Sequence, residues 1–152
     1  MKNSFSIYSR KKKKNGLSVS EQEYLKQILL AGDPQCHTLR HNLDISKRLD
    51  KRPATVTEMI RKLALKQMVS YTKGKGFSLT EMGKKEALSI LRRCQLWELF
   101  LVKELHMGRE EVRGSLERLQ AIVCDKLMDR LFEYLNYPVF DLYGEKIPDN
   151  TY

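Results

Sequence analysis

The fold of this chain is decided by residues 49–80, which read LDKRPATVTEMIRKLALKQMVSYTKGKGFSLT. Pro53 suits the first turn of a helix, because the amide hydrogen that proline lacks would have no partner there. Apolar side chains then recur at helical spacing, at Val56, Met59, Ile60 and Leu63. The stretch therefore predicts a helix with one buried face and one polar, basic face.

Two short stretches follow this helix, at residues 68–72 and 77–79, and in both of them polar and apolar residues alternate. Lys73, Lys75 and two glycines lie between them, which predicts a β-hairpin with a basic tip. A short helix through Leu43, Ile45 and Leu49 is predicted to come before the first one. This order is that of a winged helix-turn-helix, whose second helix enters the major groove of DNA.

Polar and basic side chains on these elements are candidates for contacts with DNA. We expect Arg52 and Thr55 to reach base edges, with Thr57 and Glu58 as further candidates. Lysine and arginine side chains also bind phosphates without reading the sequence. The residues expected to do so are Arg61, Lys62, Lys73 and Lys75, and Lys51 completes the predicted set.

The charge of the chain is unevenly distributed. Its 152 residues include 28 Lys and Arg against 19 Asp and Glu, for a net charge of +9. Residues 1–76 hold 17 of the basic and 6 of the acidic residues, a net of +11, so the remainder carries −2. The first half is therefore the candidate for a polyanion partner, with nucleic acid first and an anionic membrane surface as an alternative.

Composition also excludes several classes of protein. No apolar run approaches the roughly 18 residues of a membrane span, and the polar, basic residues 1–15 do not form a secretory signal. Cys36, Cys94 and Cys124 are odd in number and widely spaced, so neither a disulfide framework nor a zinc finger is indicated. We expect a cytoplasmic protein and, without a nucleophile–base pattern, no enzyme.

The remaining helices are predicted from caps and spacing. Ser20, with Glu23 three residues later, predicts a capping box at the start of a first helix that ends at 32–34. After the hairpin, Thr80 is predicted to cap a helix of about 25 residues that stops at Gly108. Two shorter amphipathic helices follow, one over 110–122 and one capped by Asp125.

These helices have few ways to bury every apolar face in one copy, which favours a homodimer. The sequence thus predicts a mainly α fold in three parts. They are a basic tail over 1–16, a winged-helix DNA-binding domain over 17–80 and a helical dimerisation domain over 81–152.

Six segments in this order carry a family resemblance. They are SEQEYL (20–25), ATVTEMIRKL (54–63), LTEMGK (79–84), RRCQLWELFLV (92–102), SLERL (115–119) and DLYGEKIPD (141–149). Together they resemble the DtxR/MntR family of iron- and manganese-dependent repressors, without the SH3-like domain of longer members. The resemblance implies a homodimer on a near-palindromic, double-stranded DNA operator, with no membrane partner and with Mn²⁺ or Fe²⁺ as cofactor.

The resemblance also implies a set of metal ligands, which this chain matches only in part. The matched positions are Glu23, Cys94, Glu98 and Glu117. Lys26 stands where the manganese type has a carboxylate, Arg113 replaces a histidine, and Gln120-Ala121 replaces a Glu-His pair. Manganese and iron(II) favour carboxylates and imidazoles, and both cationic side chains would repel them.

Two hypotheses follow. In one, the metal site is lost, and Lys26 or Arg113 supplies the charge that keeps the domains ready for DNA; ion pairs of Lys26 with Glu23 and of Arg113 with Glu117 would then form. In the other, the site is remodelled around Cys94 for zinc or iron. For the whole chain, the alternative to a DNA-binding regulator is a winged-helix protein-interaction module without sequence-specific DNA binding.

Overall fold

A computed structural model describes residues 16–32 and 42–149, so the basic run at 10–14, the predicted helix end at 33–34 and residues 150–152 lie outside the described residues. The described residues form α1 (Val19–Leu30), α2 (Asn42–Leu49), α3 (Pro53–Leu65), α4 (Glu81–Lys103), α5 (Arg109–Gln120) and α6 (Asp125–Tyr134). Between α3 and α4, β1 (Val69–Thr72) and β2 (Gly76–Leu79) pair as an antiparallel hairpin. The predicted mainly α fold class is confirmed.

The first three helices and the hairpin share one apolar core. Val56, Ile60 and Leu63 are fully buried along one face of α3, as their spacing predicts. Phe77 of β2 packs in the same core, together with Ala87 and Ile90 from the first half of α4. The long helix α4 is therefore part of the N-terminal core as well as of the C-terminal half.

A second apolar core lies in the C-terminal half. Its buried members are Leu96, Leu99, Met128, Leu131 and Ile147. Arg92 of α4 connects the segment after α6 to this core. Its guanidinium donates to the carbonyl of Pro148 at 2.6 Å and lies 4.2 Å from the centre of the Phe132 ring. The segment after α6 is thus folded back against α4.

The capping box of α1 lies two residues earlier than predicted. Ser18, not Ser20, is the N-cap, and its amide donates to the Glu21 carboxylate at 2.6 Å. Both serines have a glutamate three residues later, so the pattern alone allows two registers. Burial of Leu17 and an ion pair of 2.8 Å between Glu21 and Lys66 favour the earlier one. Glu23 is therefore not a capping residue.

The boundaries of the C-terminal helices also differ from the prediction. Thr80 caps α4 as expected, but α4 ends at Lys103, and Gly108 is the N-cap of α5 instead of the stop of α4. Leu105, two residues beyond the end of α4, is 55% exposed. Asp125 is the first residue of α6 and Cys124 its N-cap, which corrects the predicted cap.

The hairpin and α4 are in direct contact at Gly83. A Cβ atom at Gly83 would lie 1.8 Å from the carbonyl oxygen of Met68, so only glycine fits there. The same carbonyl accepts a hydrogen bond from the amide of Thr80 at 3.1 Å. This contact fixes the start of β1 against the first turn of α4.

We expect Gly83→Ala to lower the free energy of unfolding by about 1–3 kcal/mol, because the new methyl group collides with backbone. Gly114→Ala in α5 is the matched control, since a Cβ at that position meets nothing within 4 Å. Within a helix it should stabilise the chain by about 0.5–1 kcal/mol. Urea unfolding followed by circular dichroism measures both, and a Gly83→Ala variant as stable as the unmodified chain would contradict the contact.

Glu21 predicts a pH dependence of stability. Burial acts to raise the pKa of Glu21, but the hydrogen bonds and charge of Lys66 and the bonds from Ser18 outweigh it and hold the pKa below its ordinary value of 4.5. The resulting stabilisation is fully present above pH 4.5 and is lost as the pH falls through the lower folded-state pKa.

Glu21→Gln should therefore lose less stability than the unmodified chain between about pH 6 and about pH 3. The measurement is urea unfolding at a series of pH values. Glu133→Gln is the control, because Glu133 forms an ion pair of the same 2.8 Å length on the exposed surface of α6. If the unmodified chain and Glu21→Gln lose stability equally as the pH falls, the pH dependence does not come from Glu21.

Candidate nucleic-acid interface and candidate cation site

The turn between α2 and α3 is held by backbone and hydroxyl hydrogen bonds. The amide of Lys51 donates to the carbonyl of Ser46 at 3.0 Å, and the Ser46 hydroxyl donates back to the carbonyl of Lys51. Asp50 takes a positive φ of 50°, which reverses the chain there. The N-terminal end of α3 is thus set at a fixed angle to α2, as a helix-turn-helix requires.

The predicted DNA-contacting residues of this motif lie on its outer face. Those that are exposed are Lys51, Arg52, Thr55, Glu58, Arg61 and Lys62. Arg52 is the N-cap of α3 and makes no capping bond with its side chain. The hydroxyl of Thr57 donates to the carbonyl of Pro53 at 2.9 Å, and Glu58 pairs with Lys62 at 3.1 Å. Arg52 and Thr55 therefore lie exposed at the N-terminal end of α3.

The hairpin presents its two lysines at an exposed tip. Lys73 and Lys75 lie in the turn between β1 and β2, where Gly74 has a φ of 79° that favours glycine. The amide of Met68 donates to the carbonyl of Leu63 at 3.0 Å, so the hairpin begins directly where α3 ends. The hairpin therefore follows α3 directly and carries two exposed lysines at its tip.

A second arrangement of polar groups is buried where α1, α4 and α5 meet. The ammonium of Lys26 lies 2.8 Å from a Glu23 carboxylate oxygen and donates to the Gln120 side-chain oxygen at 2.8 Å and to the Cys94 sulfur at 3.7 Å. The Lys26 side chain is only 10% exposed. The predicted ion pair between Lys26 and Glu23 is confirmed, and acceptors from three helices surround one cation.

Gln120 closes this group of side chains into a ring. It is fully buried, and its amide nitrogen donates to the Glu23 carboxylate at 2.8 Å. Burial acts to raise the pKa of Glu23, but the charge and hydrogen bond of Lys26, with bonds from Gln27 and Gln120, hold that pKa below its ordinary value. Glu23 is therefore ionised at neutral pH and balances the charge of Lys26.

Arg93 of α4 is a second buried cation at the same junction. Its guanidinium donates to the Gln120 carbonyl at 2.6 Å, to the Ser89 hydroxyl at 2.7 Å and to the Gln22 side chain at 3.3 Å. A carboxylate oxygen of Glu86 lies 3.8 Å from it. The junction of the three helices thus holds two buried cationic side chains, each beside a carboxylate.

The structure brings together only some of the predicted metal ligands. Glu23 and Cys94 meet around Lys26, whereas the Glu98 carboxylate accepts a hydrogen bond from the Tyr143 hydroxyl at 2.9 Å, and Glu117 is exposed on α5.

Two expectations about the surroundings of these ligands need correction. The expectation that Arg113 stands at the metal position and pairs with Glu117 is wrong: its side chain is 81% exposed and lies 3.8 Å from Glu110. Gln22 and Arg93 were missed, and Gln120 was named only as the replacement of a family ligand, although a polar residue on an otherwise apolar helix face is a usable signal for a buried polar cluster.

Mn²⁺ and Fe²⁺ do not fit this junction. Within residues 16–32 and 42–149, His, Cys, Asp and Glu nowhere form a group of three or more that would hold a metal. A cation 4 Å from the Lys26 ammonium would be repelled by about 4 kcal/mol per unit of its charge at an effective dielectric constant of 20. Burial raises the pKa of the Cys94 thiol despite the charge of Lys26, so the thiolate that a metal needs is disfavoured.

Replacing Gln120 with leucine should lower the free energy of unfolding by roughly 2–4 kcal/mol, since Lys26 and Glu23 each lose a buried partner. Gln27→Leu is the control, because Gln27 donates to the same Glu23 carboxylate at 2.9 Å from a half-buried position. Urea unfolding compares the two variants. Equal effects of both would mean that the buried ring contributes nothing beyond a surface hydrogen bond.

Comparison with known proteins agrees with the two halves of this architecture. The family model described as "Iron dependent repressor, N-terminal DNA binding domain" matches residues 16–77. The model described as "Iron dependent repressor, metal binding and dimerisation domain" matches residues 80–149. The two matches occur in order and together cover most of the chain.

Individual relatives share about a third of their aligned residues with this chain. The HTH-type transcriptional regulator MntR of Oceanobacillus iheyensis is 32% identical over 93 residues, which are 61% of this chain and 63% of the relative. A structure titled "Manganese-dependent transcriptional repressor complex with manganese" is 34% identical, has a TM-score of 0.73 and is matched over 86% of this chain and 59% of its own.

A "Probable metal transport system membrane protein" of Chlamydia trachomatis serovar D is 32% identical over 75 residues, 49% of this chain and 17% of the relative. This chain thus spans less than two thirds of the length of each of the three. The helix-turn-helix, the hairpin and the helical half nevertheless correspond to consecutive parts of one family. The chain belongs to the DtxR/MntR family of iron- and manganese-dependent repressors.

Proposed function

We propose that this chain is a transcriptional repressor that binds operator DNA through α3 and the hairpin. The observation that carries the proposal is the exposed N-terminal end of α3, where Arg52 and Thr55 face outward from a turn that is anchored to α2. Helix-turn-helix proteins contact base edges with these first residues of the second helix. The exposed cations of α3 and the hairpin tip supply the phosphate contacts, and family membership supports the same function.

The proposal includes a homodimer. Large apolar side chains of the C-terminal half are exposed, among them Tyr134, Tyr137, Val139 and Phe140, each more than half accessible. Burying them against a second copy would stabilise a pair. Two copies of α3 would then enter successive major grooves about one helical turn apart, so the operator would be near-palindromic.

We further infer that residues 17–80 form the DNA-binding domain and residues 81–152 the dimerisation domain. No helix in the described part of the chain is long and apolar enough to cross a bilayer. Similarity to regulators such as MntR supports a cytoplasmic regulator that has no catalytic activity.

Selection of binding sites from random duplex DNA tests the proposal, followed by fluorescence anisotropy on the enriched duplex. Arg61→Ala should weaken binding similarly across sequences and reduce the salt slope by about 1. Arg52→Ala should instead relax preference at one base pair, with a loss of discrimination of about 1–3 kcal/mol. Arg118→Ala, the same change at an exposed position of α5, should leave both unchanged.

Salt-dependent binding with no enriched sequence would favour the winged-helix protein-interaction module over a regulator. If Arg52→Ala retains the full sequence preference, Arg52 is not a base-contacting residue. A loss in Arg118→Ala equal to that in Arg61→Ala would show that net charge, not the α3 face, determines the affinity.

A further inference from the structure

The ammonium of Lys26 is positioned like a bound ion. Its Glu23, Gln120 and Cys94 acceptors come from α1, α5 and α4, respectively. Helix α1 lies in the region matched as a DNA-binding domain, and α4 and α5 lie in the region matched as a metal-binding and dimerisation domain. The ammonium therefore bridges the same two regions that a metal at this junction would join.

Each cation at the junction already has a carboxylate partner. Lys26 lies 2.8 Å from Glu23 and Arg93 lies 3.8 Å from Glu86, and the charges of Asp125 and Glu98 also act on Arg93 and Cys94, respectively. A dication here would add two positive charges beside two buried cations whose carboxylate partners are already engaged, which is unfavourable. A resident dication would thus require Lys26 to leave the junction.

The acceptors also suit an ammonium better than a metal ion. An ammonium has three donors, and here it faces three acceptors, of which only Glu23 is an ionised carboxylate. Manganese and similar hard cations favour about six oxygen ligands in octahedral geometry. The side-chain amide of Gln120 and a single cysteine sulfur are weak substitutes for the carboxylate and imidazole ligands that these ions favour.

We propose that the Lys26 ammonium permanently takes the place of the activating cation, so that this chain binds DNA without Mn²⁺ or Fe²⁺. The DNA readout of this inference rests on the proposed function, whereas the structural role of Lys26 does not. The ammonium is covalently part of α1, and it holds α1 against α4 and α5 whatever the metal concentration. The chain is then a repressor whose DNA-binding state is set internally.

The first experiment compares the affinity of the full chain for its selected duplex in EDTA, in MnCl₂ and in anaerobic FeSO₄. Allosteric effectors change affinity by about 5–150-fold, whereas here the three conditions should agree within about twofold. Tightening by either metal in that 5–150-fold range overturns the proposal. If the chain binds no duplex under any condition, the proposed function is wrong. The calorimetric and Tm measurements described next do not use DNA and then test the inference by themselves.

Calorimetric titration with MnCl₂, FeSO₄ and ZnCl₂ tests metal binding directly. We expect no stoichiometric binding in the micromolar range and the same Tm in EDTA as in MnCl₂. Stoichiometric micromolar binding of manganese or iron overturns the proposal. Stoichiometric zinc binding that Cys94→Ser abolishes also overturns it, in favour of a site remodelled around the thiol.

Lys26→Met removes the charge and keeps an unbranched side chain. It leaves the Glu23 carboxylate buried without its cation, so the Tm should fall by roughly 6–20 °C. Lys66→Met is the matched control: Lys66 pairs with Glu21 at the same 2.8 Å, but its side chain is 38% exposed and both partners lie in the N-terminal region. Its Tm should fall less, and a fall as large as that of Lys26→Met overturns the special role of Lys26.

Lys26→Glu converts the position of the cation into a candidate ligand beside Glu23 and Cys94. This variant should be destabilised in EDTA and regain Tm and DNA affinity in MnCl₂ or ZnCl₂, because a metal ion now supplies the missing charge. A variant that no metal restores overturns the proposal that the ammonium occupies a cation position. The metal-independent behaviour of the unmodified chain is measured in parallel on the same duplex.

Discussion

A lysine ammonium that is buried where three helices meet must be surrounded by acceptors, and this requirement organises the centre of the molecule. Glu23 supplies the opposite charge, Gln120 fixes both partners, and Arg93 anchors the backbone of Gln120. Hydrogen bonds and an ion pair link these side chains, so each helps to hold the others in place. The packing of α1 against α4 and α5 is therefore specified by polar geometry as well as by apolar contact, which makes one arrangement of the two halves preferable to the alternatives.

The outer face of the molecule depends on that centre indirectly. The helix-turn-helix packs through Val56, Ile60 and Leu63, and its core also includes Ala87 and Ile90 of α4. The same helix α4 then carries Arg93 and Cys94 into the buried ring. A single helix thus belongs to the N-terminal core, to the polar junction and to the apolar core of the C-terminal half. Its length joins the helix-turn-helix to the rest of the fold.

Local pattern explains which elements could be predicted from the sequence. The apolar spacing of α3, the glycine–lysine tip of the hairpin and the Thr80 cap all act over a few residues, so they are legible in one sequence. The register of α1 could not be predicted, because Ser18 and Ser20 both precede a glutamate by three residues and only tertiary contacts distinguish between them. The buried ring joins Lys26 to a residue 94 positions later, a pairing that no local rule contains. Family resemblance located the unusual lysine, but it did not reveal that Arg93 rather than Arg113 lies beside it as a buried cation at the junction of α1, α4 and α5.

The close contact at Gly83 couples the orientation of α4 to the position of the hairpin. The helix between Gly83 and Cys94 is about 16 Å long at 1.5 Å per residue, so a rotation of about 5° at Cys94 would move the hairpin end by roughly 1.4 Å. Because the carbonyl of Met68 leaves no room for even a methyl group on Gly83, the start of the hairpin lies directly against the first turn of α4 and is displaced with it. The packing at the centre therefore also determines the position of the two lysines at the hairpin tip.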